Sequence, residues 1–167
     1  MRVGLLSDSH VPDAVKELPM PELRRAFEGV ELVLHAGDVY FTSVLDDLAT
    51  IAPVLAALGD DDSVVTMERD TRFRSKHVLT LEGHRLWLVH QRPYGLGQPT
   101  FSLGEKAEKL PEIVVFGHEH RTTVEHSHGI LFVNPGSPTF LNYQHGLGTV
   151  GILDIRDGQM DVKIVHL

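Results

Sequence analysis

Residues 3–10 read Val3-Gly4-Leu5-Leu6-Ser7-Asp8-Ser9-His10. An apolar run with strand character ends here on an acid and an imidazole two residues apart. On an extended segment residues i and i+2 point the same way, so Asp8 and His10 can reach one point just beyond the strand. The pattern recurs along the chain. Leu32–His35 runs into Ala36-Gly37-Asp38, Val54–Leu58 into Gly59-Asp60-Asp61-Asp62, Leu86–Val89 into His90, and Ile113–Phe116 into Gly117-His118-Glu119-His120. Five apolar strands thus each deliver Asp or His at the same terminus. In open α/β sheets, ligands gather in the crevice outside those carboxyl ends. Any one of these endings alone is an ordinary polar turn. In series, they would cluster acids and imidazoles with nothing to neutralise or orient them, unless cations do so.

Outward from these five stretches, further strands are expected at Lys76–Leu81, Thr122–Glu125, Ile130–Val133, Gly148–Ile155 and Met160–Val165, on their β-branched and leucine content. Two hairpins are expected, one turning at Glu82-Gly83-His84 and one at Asp157-Gly158. Helices are expected at Pro21–Phe27, Ser43–Ala49 and about Leu103–Leu110, the second capped by Thr42 or Ser43. Early strands alternate with helices, whereas late strands form hairpins. Two packed sheets flanked by helices fit this order better than one parallel sheet. No repeat or linker interrupts the 167 residues, and a chain of this length is expected to be one domain, 1–167.

The chain has no cysteine, which excludes disulfides, thiolate metal sites and a cysteine nucleophile. Fifteen Lys and Arg against 23 Asp and Glu give a net charge of −8. An acidic surface of that kind repels phosphate backbones, so broad nucleic-acid binding is not expected. A small phosphorylated substrate remains compatible if metal ions reverse the local sign. No apolar stretch approaches a secretion signal or a membrane span, and a cytoplasmic location is the expectation.

This constellation resembles the calcineurin-like metallophosphoesterase superfamily, and within it the small bacterial and archaeal phosphodiesterases related to the retromer metallophosphoesterase-fold subunit. The resemblance runs from Asp8 to the Asn134-Pro135-Gly136-Ser137 turn and the closing hairpin. It implies an α/β fold (α+β in some schemes), a four-layer α/β/β/α sandwich of two mixed sheets flanked by helices. Carried over by motif, Asp8, His10, Asp38 and His120 would hold one metal. Asp38, Asp60, His90 and His118 would hold a second, with Asp38 bridging. The implied activity is a metal-dependent phosphodiesterase, in which a hydroxide shared by two divalent ions attacks phosphorus in line with the leaving alkoxide. Carboxylate and imidazole donors without thiolate suit Mn, the first choice here, or Ni, Co, Fe and Zn, better than Ca or Mg alone.

Three positions depart from the family pattern. Relatives usually carry asparagine where this chain has Asp60. Two divalent ions with Asp8, Asp38, Asp60 and a hydroxide sum to zero charge, so tighter metal retention and weaker attraction for phosphate are expected. Position 61 is Asp61 where larger relatives place a histidine, a trait shared with the small subfamily. His90-Gln91-Arg92 replaces a common His-Gly-His, and Arg92 is the candidate to bind a phosphate oxygen.

His35 is expected as a packed or supporting imidazole, and His77, His84, His126, His128, His145 and His166 as ordinary surface or hairpin positions. Asp62 is the candidate to orient a ligand histidine, and Asn134–Ser137 a structural turn near the site. Gln91–Pro99 reads as a loop over the pocket mouth, with Tyr94 able to stack on a ring. The resemblance also admits a weakly active or inactive metal-binding or protein-interaction module, and makes a homodimer or homotetramer plausible.

Overall fold

A computed structural model of the chain describes residues 1–63, 67, 69–96 and 109–167. In chain order the elements are β1 (Arg2–Leu6), α1 (Met20–Ala26), β2 (Leu32–His35), α2 (Thr42–Ala49), β3 (Val54–Ala57), β4 (Phe73–Arg74), β5 (Lys76–Leu81), β6 (His84–Val89), β7 (Ile113–Val115), β8 (Thr122–Ser127), β9 (Ile130–Pro135), β10 (Thr149–Arg156) and β11 (Gln159–His166). They form two mixed sheets, ordered β11-β10-β1-β2-β3-β4 and β5-β6-β7-β9-β8. The strands that carry the polar endings, β1, β2, β3, β6 and β7, pair in parallel with one another within their sheets.

Side-chain alternation explains why two sheets stack. Val3 and Leu5, Leu34 and Ala36, Leu86 and Leu88, Ile113 and Val115, and Leu131 and Val133 fill the space between the sheets. The intervening residues face outward. On the first sheet, Leu6, Val33, Ala56, Val150 and Ile152 pack under Leu23 of α1, Phe27 at its C-terminal end, and Leu45 and Leu48 of α2. On the second, Trp87, Val89, Val114, Phe116, Ile130 and Phe132 cluster with Leu96. The helix expected at about Leu103–Leu110 falls outside the described residues, apart from Lys109 and Leu110, which are not helical.

Both expected hairpins form, each through two left-handed residues, Glu82-Gly83 and Asp157-Gly158. That geometry matches the twist of the flanking strands. His128-Gly129 makes a third hairpin, between β8 and β9, that was not anticipated. Helix α2 corrects another expectation. Its N-cap is the extended Phe41, with no side-chain cap, so Thr42 and Ser43 lie inside the first turn. No helix among the described residues is long and apolar enough to cross a membrane.

Candidate metal centre

Three of the polar strand endings, those after β1, β2 and β7, turn through the candidate ligands themselves. Asp8, His10, Asp38, His118 and His120 all have positive φ, between 44° and 70°. Non-glycine residues rarely adopt this region, and such strain concentrates at functional sites. Two glycines permit the close approach of neighbouring loops. A Cβ on Gly59 would overlap the backbone N and Oδ1 of Asp38, and one on Gly117 would overlap Ser7 Oγ and Asp8 Oδ2.

The result is two groups of donor atoms. Asp8, His10, Asp38 and His120 converge in one, all buried; Asp60, His90 and His118 converge in the other. Asp38 stands between them. Its Oδ1 accepts the Asp61 N–H at 3.0 Å, while Oδ2 lies 3.5 Å from His10 Nε2 and 3.4 Å from His90 Nε2. Asp60 Oδ2 accepts from Gln91 Nε2 at 2.7 Å and lies 3.0 Å from His118 Nδ1. Asp8 receives the His118 N–H on both oxygens, at 3.0 and 3.1 Å.

Hydrogen bonding on the far side of three rings fixes their tautomers. His90 Nδ1 donates to the Ala36 carbonyl at 2.8 Å and His120 Nδ1 to the Phe140 carbonyl at 3.0 Å. Tyr40 directs its hydroxyl hydrogen to Asp61 Oδ2 at 3.2 Å and therefore accepts from His10 Nδ1 at 2.9 Å. A neutral imidazole that donates from Nδ1 carries a lone pair on Nε2. All three Nε2 lone pairs thus face carboxylate oxygens or each other: His10 and His120 Nε2 are 3.0 Å apart, and His90 Nε2 is buried with no hydrogen-bond partner. Converging lone pairs and carboxylates repel one another, whereas a cation satisfies all of them at once. The donor set therefore fits divalent metal.

Burial shapes the ionisation of the same groups. It lowers the pKa of both His10 and His120, keeping the rings neutral, and pushes Asp8 up to about 8, with Asp38 adding to the rise. Burial first, then Asp61, raises the Tyr40 phenol.

A second tier holds the ligand loops. His35, fully buried and pushed down to about 3 by burial, accepts the Gly37 N–H on Nδ1 and so donates from Nε2 to Ser9 Oγ at 3.0 Å. Ser9 Oγ in turn reaches the Asp38 carbonyl. Asp62 orients no histidine, contrary to expectation. Its Oδ1 takes the N–H groups of Val39 and Tyr40, and its Oδ2 those of Asp38 and Gly59, locking the turns after β2 and β3 together. The Asn134–Ser137 turn behaves as expected. Asn134 donates to the Gly117 carbonyl and Ser137 to the Asp8 carbonyl.

A cavity of about 430 Å³ opens over both groups, lined by His10, Asp38, Asp60, His118 and His120, by Tyr40, Phe140 and Tyr143, which the sequence does not single out, and by His145, expected as an ordinary surface or hairpin position. Tyr40 follows Asp38 by the same i, i+2 spacing that singled out His10 and His120, so the signal was present, though on a residue that is not a common ligand. Tyr143 stacks on His120 with ring centroids 4.6 Å apart, and His145 is held by the Ala14 carbonyl.

Three expectations fare differently. Tyr94 is 96% exposed and does not line this cavity. Arg92 does not line it either: Nη1 and Nη2 form a fork on Glu125 at 2.9 and 3.0 Å, and the guanidinium lies over the Phe132 ring. His77 is not a surface residue but is buried, with Nε2 donating to the Ala56 carbonyl at 2.9 Å.

Comparison with known proteins agrees with this geometry. Residues 1–158 match the calcineurin-like phosphoesterase superfamily domain. A probable metallophosphoesterase of Methanothermobacter thermautotrophicus is 31% identical over 166 residues, 99% of this chain and 92% of that protein. A phosphodiesterase of Methanocaldococcus jannaschii is 24% identical over 92% of this chain and 93% of its own length. Among solved structures, vacuolar protein sorting 29 of Cryptosporidium parvum superposes with a TM-score of 0.67 at 26% identity, covering 99% of this chain and 97% of that one.

Proposed function

The chain belongs to the calcineurin-like phosphoesterase superfamily, and on that premise we propose that it is a phosphodiesterase working with two divalent ions. The observation that carries the reading is the set of three Nδ1-anchored imidazoles whose Nε2 lone pairs meet one another and the carboxylates. Asp8, His10, Asp38 and His120 would hold one ion and Asp38, Asp60, His90 and His118 the other. The two ions, when bound, supply Lewis acidity toward phosphoryl oxygens and lower the pKa of water. Oxygen and imidazole donors favour manganese, with Ni, Co, Fe or Zn as substitutes.

The chain's own residues have distinct tasks in this reading. Tyr40, Ala36 and Phe140 hold His10, His90 and His120 in the ligating tautomer. Asp62 and His35 keep Asp38 between the two groups. The cavity has room for a small phosphorylated substrate, and the net charge of −8 weighs against broad nucleic-acid binding. We place the protein in the cytoplasm.

A second reading, an interaction or regulatory module on the same fold, draws on the likeness to vacuolar protein sorting 29. The deciding experiment is hydrolysis of a chromogenic phosphodiester and its monoester by metal-stripped protein resupplied with Mn, Ni, Co, Zn or Mg, beside a His118→Ala control. Metal-dependent turnover that favours the diester and disappears in the control is expected. Two ions bound per chain with no turnover under any metal would transfer the weight to the second reading.

A further inference from the structure

We infer that β11 is a self-association edge, on which a second copy of this chain pairs antiparallel about a two-fold axis at Val162. Strand β11 closes the six-stranded sheet, and among the described residues β10 is its only strand neighbour. Eight residues long, it presents an unusually complete row of backbone groups for an edge strand. The parity of that row is fixed. Leu167 N–H donates to the Gly148 carbonyl, and the register pairs Asp154 with Asp161 and Ile152 with Lys163. Hydrogen-bonded positions alternate along an antiparallel pair. Asp161, Lys163 and Val165 therefore turn their N–H and C=O toward β10, while Met160, Val162 and Ile164 turn theirs outward.

The sequence of the edge is complementary to itself in one register. A two-fold axis at Val162 sets Val162 against its own copy, Met160 against Ile164 of the partner subunit, and Asp161 against Lys163 of the partner subunit. The first two are outward-facing, hydrogen-bonding pairs. The third falls at the closer, non-hydrogen-bonded spacing, where opposite charges attract most. Moving the axis by one residue sets Asp161 against Asp161 of the partner subunit, or Lys163 against Lys163 of the partner subunit, and like charges directly opposite are unfavourable.

The flank around β11 points the same way. Strand β9 lies against β1 and β10, and β6 against β3, which puts β8, the edge of the second sheet, on the same side as β11. Val124 on β8 pairs with the inward-facing Val133, yet is 48% exposed. Met160 and Val162 border the same core and are only partly buried. The seam between the sheets is open here, and a second copy paired along β11 covers it.

Sedimentation velocity across a wide concentration range, on the intact chain, tests this. A reversible dimer is expected. Asp161→Lys and Lys163→Asp each place like charges opposite one another twice per dimer, and each should raise the dissociation constant about tenfold or more. The double variant Asp161→Lys/Lys163→Asp restores opposite charges and should recover the dimer, which separates loss of pairing from loss of folding. A chain that is monomeric at every concentration overturns the inference, as does a dimer indifferent to both single reversals. A double variant no tighter than the singles overturns the Val162 register. None of these outcomes depends on whether phosphodiesters are hydrolysed.

Discussion

His10 Nε2 and His120 Nε2 lie 3.0 Å apart, each with its proton committed to the opposite ring nitrogen by Tyr40 and by the Phe140 carbonyl. Two lone pairs at that distance, beside Asp8 and Asp38, destabilise the metal-free fold. Divalent metal should therefore raise thermal stability. At a hundredfold excess over the dissociation constant the gain is about 2.7 kcal/mol. Differential scanning calorimetry of chelator-treated protein with and without manganese measures it. The increase should largely vanish in His120→Ala, and an unchanged midpoint in the parent protein would rule the site out as a metal centre.

Asp60 Oδ2 sits 3.0 Å from His118 Nδ1. Asp60→Asn removes one negative charge from a cluster that two ions and a hydroxide would otherwise neutralise. Calorimetric titration should show weaker retention of the second ion, tighter phosphate binding, or both. If stoichiometry and phosphate affinity are unaltered, Asp60 is not a ligand of consequence.

Asp62 accepts four backbone N–H groups, two on each oxygen. In Asp62→Asn either orientation of the amide turns an NH₂ toward two N–H donors. The expected loss is about 2–4 kcal/mol, read as a lower urea midpoint. An equal midpoint for the two proteins would mean the loops after β2 and β3 are held by other contacts.

His77 is buried against the Ala56 carbonyl, and burial lowers its pKa below the ordinary value of about 6.5. The unfolded chain therefore takes up the proton first. The stability that the neutral ring contributes is whole above about pH 6.5 and is lost as pH falls from there toward the folded value. His35 acts in the same direction. Urea unfolding between pH 7 and 5 should show declining stability, with a shallower decline in His77→Phe by up to about 1.4 kcal/mol per pH unit. Parallel curves would show that His77 plays no part in the acid limb.

How much of this was legible in the sequence depends on what kind of contact each residue makes. Asp8, His10, Asp38, Asp60, His90, His118 and His120 could be read because strand periodicity alone brings residues at like termini together, and the structure gathers them into two groups. The observed roles of Tyr40 and Asp62 are not legible, because tertiary packing decides what each meets: the His10 ring and the Asp61 carboxylate for Tyr40, the N–H groups of two turns for Asp62. The burial of His77 is not legible in its own strand, because it comes from contact with the Ala56 and Arg72 carbonyls. Strand β4 has only two residues, too few for any period to register.

The positive φ angles at Asp8, His10, Asp38, His118 and His120 limit the alphabet that evolution or a combinatorial library can use at these positions. β-Branched residues are disfavoured by the backbone before any question of chemistry arises, while glycine is accommodated without strain. Exchange of ligands at these five positions is thus confined largely to Asp, Asn, His and Gly. A glycine here deletes the side chain and relieves the turn together, so a glycine-substituted centre is the cleaner blank against which to judge the chemistry of the native one.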